Sequence, residues 1–223
     1  MKRENRTTVP RSAVTLALTA LLCAVVCVGC SDDPSVNVTT QCLELLPNEG
    51  TAQGHVISRS GADSTCNYLD IELVATDIQG IRSAEINVSY PNGLAVLLLA
   101  EVGPLLLGTD GEFAACGLAL SEYGVFCEVG DDFENGVVEL DLSLTSQEEG
   151  EWTVDAPAEE GAVLARLTFL QITTLPGAQG PFAFNYGKLL DDGAEGSTAP
   201  VAIIDVNVDP STFVGGQMII QER

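Results

Sequence analysis

The chain has 223 residues, enough for one β-sandwich domain, and carries 9 Lys and Arg against 32 Asp and Glu, with a pI near 4.1. Five basic and 31 acidic residues follow position 29, so that part of the chain has a net charge of −26. Such a surface repels phosphate, which argues against nucleic acid as a partner and against anionic lipid surfaces. Disorder is not indicated, because 46% of the residues are apolar and their pattern is regular.

The first 29 residues have the form of a secretory signal. Four basic side chains lie within residues 1–12, and residues 13–28 are apolar. The segment ends in Cys27-Val28-Gly29-Cys30, followed by Ser31-Asp32-Asp33, which resembles the bacterial lipobox. The resemblance implies that Cys30 is acylated and becomes the new N-terminus; the alternatives are a plain signal peptide or an uncleaved anchor with Cys30 incidental.

These features predict three parts of the chain and a location. Residues 1–29 are the lipoprotein signal peptide, residues 30–41 a polar tether, and residues 42–221 the folded domain. Several acyl chains on one cysteine hold a protein firmly to a bilayer, and the membrane is contacted through this anchor only. We therefore expect the protein in the bacterial cell envelope, facing out of the cytoplasm, at the outer membrane or the cell surface.

The first half of the domain is dominated by alternating patterns. A first strand is predicted at residues 43–46, and a short one near residues 55–58. Apolar and polar residues then alternate over residues 70–75 and 84–90, with a turn at Gln79-Gly80 between them. A period of two is typical of strands that have one face on a core and one face in water. Pro91-Asn92-Gly93 forms a turn before the apolar run of residues 94–100.

Within this stretch the sequence resembles a cohesin domain, the β-sandwich module of cellulosome scaffolds, which is related in fold to cellulose-binding modules. The pattern is a Gly after the first strand, an alternating strand that ends in Tyr, a Leu four residues on, and a Gly before paired leucines. A late strand has the same likeness, with Val163, Ala165, Leu167 and Phe169 on one face. The resemblance implies a partner held on one flat sheet face. The earlier positions that fit are Gly80, Tyr90, Leu94, Gly103, Leu105 and Leu106.

The second half of the domain adds further short strands. A hairpin is predicted at residues 113–128, followed by strands near 136–144, 162–171, 181–186, 202–208 and 212–220. Residues 146–161 form an acidic insertion with the only tryptophan, Trp152. No stretch has a sustained 3.6-residue apolar period. The predicted fold is an all-β antiparallel sandwich of jelly-roll type, with about nine to eleven strands and little helix.

Four cysteines remain after the signal and Cys30 are set aside. An even number in an exported chain indicates disulfides, although four cysteines allow three connectivities. Proximity favours Cys42–Cys66 and Cys116–Cys127. Zinc is the weaker alternative, because the domain has no CxxC pair and His55 is the only histidine.

No catalytic or cofactor site stands out, so we expect a protein that is not an enzyme and has no metal or cofactor. One histidine and no GxSxG leave no visible triad, and 32 acidic residues give no way to select a glycosidase pair. Residues 131–135 and Asp191-Asp192 are oxygen-rich loops of the kind calcium binds, but neither has the EF-hand spacing.

Three function hypotheses follow, and the ligand-binding residues stay unknown in all of them. The first is a lipid-anchored, cohesin-like module that docks a protein partner or a polysaccharide-associated complex. The second binds polysaccharide directly through Trp152, Tyr123 and Tyr68, whereas Tyr90, Phe169 and Phe182 belong to the core. The third is a non-catalytic structural lipoprotein of the envelope.

Two arginines in predicted strands are additional contact candidates. Arg82 and Arg166 are two of only five basic residues after position 29. An exposed arginine can bind a carboxylate of a partner through both of its nitrogen donors. The competing interpretation, which we favour, is that each pairs with a neighbouring Asp or Glu of the same chain.

Overall fold

The structure is a computed structural model that describes residues 40–48, 56–117, 120, 124–144, 153–191, 201–205 and 210–223. The signal peptide, Cys30, most of the tether, His55, Tyr123 and Trp152 lie outside these residues. The predictions about them therefore stay predictions.

Strands make up most of the described chain, as the sequence predicts. They are joined by one short helix, α1 (Pro104–Leu107), and one 3-10 turn at Pro210–Thr212. In chain order the strands are β1 Gln41–Pro47, β2 Val56–Ser60, β3 Tyr68–Ala75, β4 Ile78–Ile81, β5 Ser83–Ser89, β6 Ala95–Val102, β7 Ala114–Ala115, β8 Val125–Asp132, β9 Val137–Leu144, β10 Val154–Ala156, β11 Ala162–Gln171, β12 Gln179–Asp191, β13 Val201–Asp205, β14 Phe213–Val214 and β15 Gly216–Glu222.

The strands form two sheets that pack face to face. Sheet 1 has the order β1-β15-β12-β5-β9-β8, and β13 also pairs with β12. Sheet 2 has the order β14-β2-β3-β11-β6-β7, and β4 and β10 form a separate two-stranded ribbon. The apolar residues of both inner faces make one continuous core. The predicted β-sandwich is confirmed.

The central strands of sheet 1 bury alternate residues, as the sequence predicts. In β5, Ala84, Ile86 and Val88 are buried while the residues between them face outward. In β9 every second residue from Val138 to Leu144 is buried in the same way. The outward faces of both strands are therefore polar.

Some details differ from the prediction. The described residues contain fifteen strands rather than nine to eleven, because several are pieces of two to five residues. The pairing is not wholly antiparallel, since β2 and β14 run parallel. Gln79-Gly80 lies within β4 instead of in a turn; the chain changes direction earlier, at Asp77, which has a φ of 53°.

The predicted hairpin at residues 113–128 is wrong. β7 pairs with β6 in sheet 2, whereas β8 pairs with β9 in sheet 1. Among the described residues between them, the Gly117 N–H donates to the Cys127 carbonyl and the Val125 N–H to the Leu120 carbonyl, each at 3.3 Å. The segment crosses from one sheet to the other, which apolar periodicity alone does not distinguish from a hairpin.

Because of a bulge in β11, one residue that the sequence predicts in the core is only partly buried. The register of β11 against β3 shifts between Val163 and Ala165, so that Leu164 and Ala165 are both fully buried. Val163 is therefore only partly buried, although the sequence predicts it on the inner face. A bulge inserts one extra residue and reverses the alternation before it.

A row of five aromatic rings fills the centre of the core. Tyr90 contacts Phe169 with ring centroids 5.0 Å apart, and Phe169 contacts Phe182 at 6.2 Å in an edge-to-face arrangement. The row continues through Phe184 to Phe213, so it joins β11 and β14 of sheet 2 to β12 of sheet 1. Tyr90, Phe169 and Phe182 are core residues, as predicted.

The two disulfides have the predicted pairings, and each joins one sheet to the other. Cys42 of β1 is bonded to Cys66, two residues before the start of β3, with Cα atoms 4.0 Å apart. Cys127 of β8 is bonded to Cys116, which follows β7, with Cα atoms 5.1 Å apart. Because β1 and β8 are the two outermost strands of sheet 1, the bonds close the sandwich at opposite edges.

Among the described residues, no helix combines the length and apolar character needed to cross a bilayer.

Candidate functional site

The outer face of sheet 2 is covered at its centre by other parts of the same chain. Asp70 and Glu72 point outward from β3, yet each is only 6% exposed. Gly61 and Ser64 lie against Asp70: the Gly61 N–H donates to the Asp70 carbonyl at 2.7 Å, and the Ser64 hydroxyl oxygen accepts from the Asp70 N–H at 3.0 Å. This part of the face is therefore closed to a partner.

Arg166 lies in the same covered region and pairs within its own chain. Its guanidinium contacts Glu72 and Asp63 at 3.3 Å each, and Glu101 at 4.0 Å. The Phe113 ring lies over it, with the Cζ atom 3.5 Å from the ring centroid, so that the side chain is only 14% exposed. The interpretation that Arg166 pairs with neighbouring Asp or Glu residues of its own chain is confirmed.

Arg82 lies where several strands meet. Its backbone N–H donates to the Leu190 carbonyl at 2.8 Å, and its carbonyl accepts from the Leu144 N–H at 2.9 Å. These bonds connect the short link between β4 and β5 to β12 and β9. A role for Arg82 in partner contact stays a prediction.

The outer face of sheet 1 carries an open groove instead. The groove lies across β12, β5, β9 and β8 and has a volume of about 470 Å³. Glu128, Glu139 and Asp141 are exposed within it, and Glu85 and Asn87 line its floor. We call these five residues together with Tyr186 the groove face.

Hydrogen bonds between neighbouring strands fix the floor of the groove. The Asn87 amide donates to Glu139 at 3.0 Å and accepts from the Asn185 amide at 2.9 Å. The Tyr186 hydroxyl donates to Glu85 at 2.9 Å. Gly130 of β8 adds depth, because it stands opposite Glu139 with no side chain of its own.

Partial burial, with a further contribution from neighbouring carboxylates, raises the pKa values of two groups on the groove face. Partial burial raises the pKa of Asp141 above its ordinary value, and the carboxylates of Glu85 and Glu128 add to the rise. Burial also raises the pKa of Tyr186 to about 12, with further contributions from its hydrogen bond to Glu85 and from the charges of Glu85 and Asp205. The groove face thus carries four neighbouring carboxylates, and Lys188 of β12 stands opposite Glu85 at its edge.

We expect Asp141→Asn to stabilise the domain at pH 7 and to lose this advantage in acid. A raised carboxyl pKa means that the folded state binds the proton more tightly than the unfolded state does. The native protein then gains stability as the pH falls through the raised pKa of Asp141, and the gain is complete below the ordinary carboxyl range.

The measurement is the unfolding free energy in urea for the native protein and Asp141→Asn, across pH 3.5 to 7. Asp110→Asn, in an exposed turn, is the matched control and should leave the stability difference flat. If the difference in unfolding free energy between Asp141→Asn and the native protein does not change with pH, the raised pKa of Asp141 is contradicted.

The oxygen-rich loop at residues 131–135 is occupied by internal hydrogen bonds. Asp131 accepts from the Tyr90 hydroxyl at 3.1 Å, and Asp132 accepts from the Asn135 side chain at 2.7 Å. The bonds from Asn135 hold the pKa of Asp132 below its ordinary value. Within the described ranges, no group of three or more Asp, Glu, His or Cys residues is arranged to hold a metal ion, and Asp192 lies outside those ranges.

The exposed aromatic side chains do not form one flat row in the described part of the chain. Tyr68 begins β3, Phe126 points outward from β8, and Phe133 lies in the turn between β8 and β9. Tyr68 is exposed, as the sequence predicts. Stacking of a sugar chain over several residues requires aromatic planes that lie side by side, and Tyr68 and Phe126 belong to different sheets.

Comparison with known proteins adds information about the fold. No protein-family model matches the chain, and no curated protein matches it. Several solved structures do match, at low sequence identity. Those structures are cohesin modules.

Three of these structures illustrate the range of the matches. A cohesin from a type I cohesin–dockerin complex of Clostridium thermocellum is 13% identical over 84% of this chain and 99% of its own, with a TM-score of 0.46. The second type II cohesin of the ScaA scaffoldin of Acetivibrio cellulolyticus is 12% identical over 81% and 90%, with a TM-score of 0.44. The sixth cohesin of scaffoldin B from the same organism, solved with a dockerin, is 11% identical over 80% and 96%, also with a TM-score of 0.44.

Proposed function

We propose that the chain is a non-catalytic module that docks a protein partner on the groove face. We further propose that a lipid on Cys30 holds it on the outer side of a bacterial membrane. The cohesins described above include modules solved in complex with dockerins. In this chain the observation that carries the proposal is the difference between its two outer faces.

The two faces differ in what a partner could reach. On sheet 2 the polar residues at the centre are buried under residues 61–64 and Phe113 and are paired with one another. On sheet 1 the groove face has exposed carboxylates on neighbouring strands. A rigid sheet presents such side chains in a fixed arrangement, which lowers the entropy lost on binding.

The charge of the groove face restricts the partner. Its four carboxylates, of Glu85, Glu128, Glu139 and Asp141, favour a surface that carries lysine, arginine or other hydrogen-bond donors. We therefore expect association to be faster at low ionic strength than at high ionic strength.

We expect Glu128→Arg combined with Glu139→Arg to weaken capture of the partner by about tenfold or more, because charge reversal on a docking face places like charges together. The measurement is affinity capture from the native envelope, followed by binding titration with the captured protein. Glu159→Arg, in an exposed turn outside the groove face, is the matched control and should capture as the native protein does. Equal binding by the double variant and the control would contradict docking on this face.

A further inference from the structure

One end of the sandwich is the place where the described chain begins and ends. The Thr40 N–H donates to the Arg223 carbonyl at 3.3 Å, and the Arg223 N–H donates back to the Thr40 carbonyl at 2.9 Å. Two residues after Thr40, Cys42 forms the disulfide with Cys66. We call this the entry end.

Apolar side chains are exposed around the entry end. Of the eight large apolar residues that are exposed in the described part of the chain, four lie here, and Leu175 is the most exposed at 67%. The four are Tyr68, Phe133, Ile172 and Leu175.

Backbone contacts place these four residues on one end of the molecule. Tyr68 pairs with Leu170 at the end of β11, and the Ile172 N–H donates to the Leu94 carbonyl at 2.9 Å. Asn92, in the turn before Leu94, donates to the Phe133 carbonyl at 3.1 Å.

Leu175 lies in the loop that joins β11 to β12, and this loop crosses from sheet 2 to sheet 1. The Ala178 N–H donates to the Leu175 carbonyl at 3.1 Å, and the Gly177 N–H donates to the Ile220 carbonyl at 2.9 Å. Ile220 is three residues before Arg223, so the loop is next to the point where the chain enters.

The length of chain before Thr40 limits how far this end can be from an anchor at Cys30. Ten residue steps separate Cys30 from Thr40. Fully extended, they span at most about 35 Å. A lipid on Cys30 would therefore hold the entry end within about 35 Å of the bilayer, whereas the opposite end of the sandwich can lie farther away.

We propose that Tyr68, Phe133, Ile172 and Leu175 contact the surface of a zwitterionic bilayer and orient the domain with its entry end towards the membrane. This inference rests on the proposed acylation of Cys30 and not on the docking face, and it replaces the expectation that the lipid anchor is the only membrane contact. Apolar side chains at a bilayer surface move their area out of water into the boundary between headgroups and acyl chains.

The charge near this end is compatible with zwitterionic lipid only. The carboxylates of Asp131, Asp132 and Glu222 accept hydrogen bonds from Tyr90, Asn135 and Gln41. Their negative charge remains, however, and the net charge of the protein would repel an anionic surface. In this orientation the strands run roughly along the membrane normal, so the groove face points sideways and stays exposed to water.

The test uses the full chain, expressed in a bacterium and reconstituted in phosphatidylcholine vesicles with brominated acyl chains, which quench nearby indoles. Trp152, the only tryptophan, is replaced by Phe, and one new tryptophan is introduced as Leu175→Trp. Leu46→Trp is the matched control, because Leu46 is exposed but lies at the opposite end of β1. The mass of the N-terminal peptide reports acylation of Cys30.

We expect an acylated chain in which the indole at position 175 loses about half its fluorescence and the indole at position 46 does not change, since the boundary region reaches only about 5–10 Å into the surface. An acylated chain with no quenching, or with equal quenching at both positions, would overturn the inference and leave the anchor standing. Fluorescence at position 175 that instead depends on protein concentration would assign the patch to a second copy and also overturn it. A chain without acyl groups would overturn both the anchor and the inference.

Discussion

Phe169→Ala should destabilise the domain by about 3–5 kcal/mol, the usual cost of removing a fully buried phenylalanine. Phe169 is 0% exposed and stands in the middle of the aromatic row, between Tyr90 and Phe182. Its removal leaves a cavity between the two sheets and breaks the contact that joins β11 to β12. Urea unfolding measures the change, and the melting temperature should fall by about 10 °C or more for a domain of this size.

Phe126→Ala is the matched control for this change. The same side chain is removed, but Phe126 is 45% exposed on the outer face of β8 and has little core to lose. We expect a change within about 1 kcal/mol. Equal losses for the two variants would contradict the placement of the core.

Removal of the Cys42–Cys66 disulfide should have the second large effect. The cysteines are 24 residues apart, and closing a loop of that length restricts the unfolded chain by about 3.5 kcal/mol in the chain-entropy model. The bond also joins β1 of sheet 1 to the segment just before β3 of sheet 2. We therefore expect the Cys42→Ala, Cys66→Ala double variant to lose about that much stability, measured by urea unfolding without reductant.

The Cys116–Cys127 bond provides an internal comparison. Its cysteines are 11 residues apart, and the same model gives about 2.8 kcal/mol. The Cys116→Ala, Cys127→Ala variant should thus be less destabilised than the Cys42→Ala, Cys66→Ala variant. A reductant should lower the stability of each variant further, because each keeps one disulfide that can be reduced. Variants as stable as the native protein would show that neither bond constrains the unfolded chain.

Apolar periodicity in the sequence is sufficient to predict the strands that have one face in the core. β5 and β9 alternate without interruption, and the structure buries every second residue in each. The burial of Tyr90, Leu94 and Leu106 likewise agrees with the pattern. In these strands each side chain has only two directions, so the pattern determines which residues are buried.

Features that depend on long-range pairing could not be predicted in the same way. The bulges in β11 and β12 change the register by one residue, and no local signal marks them. The segment with Cys116 and Cys127 looks like a hairpin because its ends are joined, yet its strands belong to different sheets. Helix α1, with four residues, is too short to show a helical period.

The candidate site was predicted only as the outward side of some sheet. Alternation marks Glu85, Asn87, Glu139 and Asp141 as outward residues, but it marks Asp70 and Glu72 in the same way. Which of these sets is open depends on residues 61–64, in the link between β2 and β3, and on Phe113, which comes from a later part of the sequence; both lie over sheet 2. Their positions follow from tertiary structure and not from periodicity.

The most direct test of docking on the groove face is site-specific photo-crosslinking to the captured partner. A photoreactive amino acid replaces either Glu139, on the groove face, or Leu99, which is exposed on β6 of sheet 2. We expect the partner to be crosslinked from position 139 and not from position 99. Crosslinking from position 99 with none from position 139 would place the partner on the other sheet and contradict the proposed function.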